Sequence, residues 1–363
     1  MKFEPLKIGK YIIEHPIIQG GMGVGISWDR LAGAVSKEGG LGVVSCVGTG
    51  YYENGIYLER DAGGRPIDTE NFYSQKALEK IFENAKKICS DAPVGANILY
   101  AINDYARVVK DACEAGANVI ITGAGLPLNL PDITKEFKDV ALVPIVSSAK
   151  ALKIICKRWK ARYDRLPDAV ILEGPKSGGH QGFKYEDCLK EEYQLENLVE
   201  PVVAEADKWG DIPVIAAGGI WDKKDIEKMF SLGARGVQMG TRFIGTHECD
   251  ANDEFKKIML NTSEDDIKLM SSPVGYPARG IVTDLIKNLK TDLAPKVACV
   301  SNCVAPCNKG TEAKAVGYCI ADRLSDAYKG DTTNGLFFSG SNGYRIDKII
   351  SVKELFERLT KGE

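Results

Sequence analysis

Only three histidines occur among the 363 residues, so the setting of each is informative. His180 stands in Ser177-Gly178-Gly179-His180-Gln181-Gly182, with glycines on both sides. A side chain on such a loop meets little steric competition and can project over a bound ligand. An imidazole with an unperturbed pKa of ~6.5 can give or take a proton near neutrality. His180 is therefore the candidate catalytic group. His15, just before Pro16, reads as structural, and His247 in Gly245-Thr246-His247-Glu248 as surface or structural. The Lys176 ammonium, one loop turn before His180, would favour an anionic substrate, although a solvated lysine is the plainer alternative.

A second set of residues is rich in glycine and ends a series of apolar runs. In order these are Gln19-Gly20-Gly21-Met22-Gly23, Asn97, Thr122-Gly123-Ala124-Gly125, Ser147-Ser148-Ala149-Lys150, Glu173-Gly174, Ala217-Gly218-Gly219-Ile220 and Gln238-Met239-Gly240-Thr241-Arg242. Glycine lets a ligand approach the backbone closely. One such tip is simply a turn. Five together, with the last two where barrels commonly bind phosphate on backbone N–H groups, point to a phosphorylated cofactor. No G-x-G-x-x-G follows a strand, which disfavours a Rossmann NAD domain.

The elements that must position these residues are legible as alternating runs. Strands are expected near Pro16–Gln19, Gly42–Ser45, Val94–Leu99, Asn118–Thr122, Leu142–Ser147, Ala169–Glu173, Pro213–Ala217 and Gly236–Met239, several starting about 24 residues apart. They are apolar almost throughout, as parallel strands covered on both faces are. Amphipathic helices are expected at Trp28–Lys37, Asn103–Glu114, Ala149–Ala161, Glu196–Lys208 and Lys224–Ser231, with C-cap glycines Gly39, Gly116 and Gly233. Eight βα units predict an α/β fold, a (β/α)8 TIM barrel, ahead of an open doubly wound sheet. Insertions at 46–71 and 174–192 fall on the C-terminal side of strands, where barrel active sites are built. The expected division is a cofactor-binding barrel over 1–243 and a mainly helical C-terminal extension over 244–363, packed on the barrel mouth. Its helices are read at Asp253–Leu260, Thr283–Leu289, Ala313–Ala327 and Val352–Leu359.

Composition narrows the partners. Lys plus Arg total 47 against 50 Asp plus Glu, a net charge of −3, which argues against neutralising nucleic-acid phosphates. There is no run of 18 apolar residues and no apolar N-terminal core, so neither membrane association nor export is expected, and the cytoplasm is the expected location.

The ordered set PIIQGGMG, Asn97, TGAG, EG…GGHQG, AAGGI and GVQMGTRF resembles the nitronate monooxygenase (2-nitropropane dioxygenase) family, related to the flavin-type enoyl-acyl carrier protein reductases. The resemblance is strong over roughly residues 5–290, and the GLFFSGSNGYRIDKIISVKEL tail looks like C-terminal segments of some members. It implies FMN at the strand tips. Gly20, Gly21, Met22 and Gly23 would pass along the isoalloxazine, and Asn97 would approach its pyrimidine side. Thr122, Lys150, Glu173 and Ala217 would line neighbouring tips. Gly178, Gly179, Gly218, Gly219, Gln238, Met239, Gly240 and Thr241 would hold ribityl and phosphate. His180 matches the family's active-site histidine. The implied activity is FMN-dependent oxidation of alkyl nitronates to carbonyl compounds and nitrite. The alternative is NAD(P)H-dependent reduction of an enoyl thioester, and the third is a non-catalytic flavin or iron–sulfur subunit. A small-molecule substrate and a homo-oligomer are expected.

Four of the ten cysteines form C-x3-C-x3-C-x11-C at Cys299, Cys303, Cys307 and Cys319. The pattern is similar to the C-x2-C-x3-C-x11-C of the iron–sulfur dienoyl-CoA reductases but differs by one residue. An iron–sulfur cluster or zinc is one reading. Reduced packing cysteines are the other, and no metal is the expectation adopted.

Overall fold

The computed structural model describes residues 3–52, 72–289, 291, 303–304 and 317–362. Eight parallel strands form the core: β3 (Ile17–Gln19), β4 (Gly42–Ser45), β5 (Val94–Leu99), β6 (Val119–Gly123), β7 (Ala141–Val146), β8 (Val170–Glu173), β10 (Val214–Ala217) and β11 (Gly236–Met239). They are hydrogen-bonded in the order β3-β11-β10-β8-β7-β6-β5-β4. The ring closes between β3 and the residue before β4. Gln19 N donates to Leu41 O at 3.0 Å and Leu41 N to Ile17 O at 3.0 Å. The buried Gln19 side chain adds a bond across the seam, its Oε1 accepting from Val43 N at 3.0 Å.

Side-chain parity builds two cores from the same strands. Ile18, Val43, Val119, Ile121, Val143, Ile171 and Ile215 point into the barrel. Val44, Ala96, Ile120, Leu142, Val170, Leu172 and Val237 point out to the helices. The inner core is plugged from below by a hairpin that the sequence reading does not contain, β1 (Leu6–Ile8) paired with β2 (Tyr11–Ile13), which inserts Leu6, Ile8 and Ile13.

The outer layer holds α1 (Asp29–Lys37), α2 (Gln75–Cys89), α3 (Tyr105–Glu114), the short α4 (Leu130–Ile133), α5 (Ala149–Tyr163), α6 (Leu195–Asp207) and α7 (Lys223–Ser231). The predicted helices match to within two residues at each end, and the predicted C-cap Gly39, Gly116 and Gly233 all have positive φ. Only the four-residue α8 (Thr241–Ile244) follows β11 directly. The last helix of the chain, α12 (Val352–Lys361), covers the gap beside α1 and α7, with Phe356 packed on Phe243 and His15. No helix among the described residues is long and apolar enough to cross a membrane.

The segment after β11 supplies α9 (Asp253–Asn261), α10 (Asp284–Asn288), α11 (Ile320–Lys329) and α12, close to the predicted helical runs except the third, where residues 313–316 lie outside the described part and 317–319 are not helical. It also forms a β-hairpin, β12 (Ile267–Ser271) with β13 (Pro277–Ile281). β13 pairs in turn with β9 (Gly179–His180), so this small antiparallel sheet ties the segment to the loop after β8.

Candidate active site

A cavity of about 550 Å³ lies at the C-terminal ends of the barrel strands, within the size range of ligand and cofactor sites. Of the residues singled out from the sequence, it is lined by Gly20, Gly21, Met22, Gly23, Asn97, Glu173, Gly178, Gly179, His180, Ala217, Gly218, Gly219, Gln238, Met239, Gly240 and Thr241. Two others are not brought there. Thr122 is fully buried and shares a 3.2 Å hydrogen bond with Tyr105 of α3. The parity of β6 decides this: Val119 and Ile121 take the inward positions, so Thr122 faces the helix layer. Lys150 is exposed in the first turn of α5, whose N-cap is Ser148.

His180 is held more firmly than a glycine-flanked loop suggests. Its backbone lies in β9 opposite Ala278. Its ring meets the edge of Phe338, with centroids 5.5 Å apart at 76°. Its Nε2 is 2.8 Å from Ser272 Oγ. Burial pushes its pKa down to about 4, so the imidazole is neutral at pH 7 and the proton exchange near neutrality expected of a free histidine does not apply. The neighbouring Gln181 locks the loop, its Nε2 donating to Ser177 O and Gly179 O, each at 2.9 Å. His15 and His247 lie away from the cavity, as expected.

The opposite end is shaped by close backbone approach. A Cβ on Gly218, whose φ is +98°, would lie 2.7 Å from Gly174 O, and one on Gly178 would lie 2.8 Å from Gly340 N. The loops after β8, β10 and β11 thus meet a tail segment whose cavity role the sequence reading leaves unassigned. Gly340 N donates to Thr241 Oγ1 at 2.8 Å, Asn342 Nδ2 to Gly219 O at 2.7 Å and Ser341 N to Lys176 O at 3.0 Å. The signal was present in SGSNGYR, a glycine- and serine-rich turn after the aromatic pair Phe337-Phe338. Two cations border this cavity. Lys176 lays its stem along Gly219, and Arg242 is buried with its guanidinium 4.5 Å from the centre of the Trp221 ring.

The donor set fits a phosphorylated flavin. Gln238 Oε1 is a buried acceptor at the cavity wall with no partner among the described residues, suited to an imide N–H or a sugar hydroxyl. The glycine-lined end offers backbone and two cations for a phosphate. Burial pushes the Glu173 carboxyl up to about 7, against a smaller opposing effect from Ser177. Cys303 borders the cavity and Cys319 is buried at the start of α11, while Cys299 and Cys307 lie outside the described residues. Among the described residues, no three His, Cys, Asp or Glu side chains are grouped to hold a metal.

A closed parallel barrel with such a cavity at its strand tips, lined by glycine-rich turns and a neutral histidine, defines a cofactor-using barrel enzyme. Residues 4–362 match the family Nitronate monooxygenase, and the chain belongs to that family of flavin-dependent oxidoreductases. Similar relatives include a probable nitronate monooxygenase from Staphylococcus haemolyticus, 28% identical over 77% of this chain and 78% of that one. A (3aS,4S,5R,7aS)-5-hydroxy-7a-methyl-1-oxo-octahydro-1H-indene-4-carboxyl-CoA dehydrogenase from Rhodococcus jostii is also 28% identical, over 77% of this chain, which spans only 65% of that protein's length. FabK from Thermotoga maritima has a similar structure, with a TM-score of 0.72 and 28% identity over 96% of this chain and 93% of that one. A nitroalkane oxidase from Streptomyces ansochromogenes, 19% identical with a TM-score of 0.68 over 96% of each chain, shares the fold.

Proposed function

We propose that the protein is an FMN-dependent nitronate monooxygenase acting on a small alkyl nitronate in the cytoplasm. The observation that carries this reading is the pairing, in one cavity, of a flavin-sized glycine-lined cradle with the uncharged His180. Bound flavin supplies the two-electron chemistry that the side chains lack. Gly218, Gly219, Gly240 and Thr241, with Lys176 and Arg242 nearby, hold the phosphate end, and Asn97 and Gln238 address polar edges. His180 orients the nitronate by hydrogen bonding to an anionic oxygen. Phe338 and the tail limit water at that end of the cavity.

The test is a spectrum and an assay. Purified protein is expected to carry flavin absorbance, to release FMN on denaturation, and to form nitrite from a nitronate with uptake of oxygen. Colourless protein that takes up no FMN would sink the reading.

A second reading, reduction of an activated C=C bond by NAD(P)H, is favoured by a specific feature. A further cleft of about 760 Å³ borders the cavity, sharing Ser147, Gly182 and Tyr276 with it and lined by Phe183, Tyr185 and Tyr193. It gives room for a longer substrate arm or a dinucleotide. Anaerobic stopped-flow separates the two: bleaching of the flavin by a nitronate but by neither NADH nor NADPH excludes the reductase.

A further inference from the structure

The geometry points to Ser272 as the positioning residue that selects the tautomer of His180, placing the proton on Nδ1 and so turning an N–H donor toward a substrate oxygen. The role of that donor rests on the proposed nitronate chemistry, whereas the tautomer itself does not. The two residues come from separate parts of the chain, His180 from the loop after β8 and Ser272 from the end of β12, 92 positions later. The sheet that joins them is held by Ala278 paired with His180 and by Gln181 N donating to Pro277 O at 2.8 Å. This backbone pairing brings the two side chains within reach of their 2.8 Å contact.

The direction of that hydrogen bond follows from counting donors. A neutral imidazole has one N–H and one bare nitrogen, and a serine hydroxyl has one hydrogen and two lone pairs. Ser272 is buried, and its Oγ accepts from Val274 N at 3.5 Å, a long bond. Among the described residues, His180 Nε2 is the one acceptor within reach of the Ser272 hydroxyl hydrogen. Were Nε2 protonated, the imidazole would donate into the serine oxygen and leave that hydrogen without an acceptor among the described residues. With the serine donating to Nε2, both the hydroxyl hydrogen and the bare ring nitrogen are paired. Nδ1 then keeps its hydrogen. It makes no hydrogen bond within the described protein, and its residue lines the cavity. A neutral N–H donor in this place binds an anionic oxygen without introducing a charge that burial would penalise.

The assignment is testable by long-range 1H–15N correlation spectra of the full chain labelled at histidine, at pH 7. With three histidines the spectrum is sparse, and His180→Ala identifies the relevant signals. The expected result is a pyrrole-type Nδ1 and a pyridine-type Nε2 at His180. Ser272→Ala is expected to convert this to a mixture of tautomers with the signals of His15 and His247 unmoved, and to lower kcat on a nitronate about tenfold with KM changed less than twofold. Ser272→Thr, which keeps the hydroxyl, restores both the tautomer and the rate. A wild-type His180 protonated on Nε2, or a Ser272→Ala protein with the wild-type tautomer, overturns the proposal. Wild-type protein that shows the Nδ1–H form but turns over no nitronate leaves the tautomer standing and removes the functional reading instead.

Discussion

Burial acts on His180 and Glu173 in opposite senses, because it penalises whichever form carries charge. His180 falls to about 4 from 6.5, while Glu173 rises to about 7 from 4.5. The contribution of His180 to stability is therefore present above its unfolded value and is lost as the pH falls toward 4. That of Glu173 is complete below 4.5 and is lost as the pH rises through 7. Glu173→Gln removes only the second effect. Its stability relative to wild type is expected to improve from pH 5 to pH 8 by on the order of 2–3 kcal/mol, measured by urea unfolding at both values. A difference independent of pH would exclude a raised Glu173. His180→Ala is expected to cut turnover of a nitronate more than tenfold while leaving bound flavin in place, the scale on which positioned acid–base or hydrogen-bonding groups act. Unchanged turnover would favour a non-catalytic binding protein. Of these two residues, position and type were legible in the sequence, but the direction of either pKa was not. That direction comes from burial, which for His180 is made by residues distant in sequence such as Phe338 and Ser272.

At the level of elements, α1 is an instructive case, since its own N-cap residue is Trp28, which provides no side-chain cap. Asp250, from beyond the eighth barrel strand, supplies it. Its carboxylate accepts from Trp28 N at 2.8 Å, Arg30 N at 3.2 Å and Leu31 N at 3.2 Å. Asp250→Ala is expected to destabilise the protein by about 1–2 kcal/mol, read as a lower urea midpoint at constant m, with Asp250→Asn in between. No local pattern announces such a cap, because donor and acceptor lie 222 positions apart. Other features were available locally. Ser74 caps α2 by accepting from Ala77 N, and Leu78, Ile81, Phe82, Ala85 and Cys89 repeat at helical spacing, so this missed helix could have been read. Thr122 could have been turned outward by extending the parity of Val119 and Ile121. The β12–β13 hairpin was harder: its buried and exposed positions do not alternate strictly, although Ser272-Pro273 and Gly275 mark its turn. The eight barrel strands were the most legible elements because burial on both faces writes each as a continuous apolar run.

Taken whole, the molecule makes its cavity from the strand tips of the barrel and from several parts of the chain after β11, among them the tail around Gly340. The tail is fastened by Asn342 to Gly219, by Gly340 to Thr241 and by an Arg345–Asp222 ion pair of 3.1 Å. Removing one such hydrogen bond costs about 1 kcal/mol, so Asn342→Ala is expected to weaken FMN binding about fivefold in a fluorescence titration, with little change in thermal midpoint. An unchanged affinity would show that the tail only covers the site. The same fastening imposes an order in time. Synthesis runs from the N-terminus, and β11, the last barrel strand, is complete at Met239, a hundred residues before Gly340 is made. All eight barrel strands are thus synthesised before the tail residues that wall the glycine-lined end of the cavity. If the cavity holds the proposed cofactor, its complete wall is available only once the residues around Gly340 and Asn342 have been made.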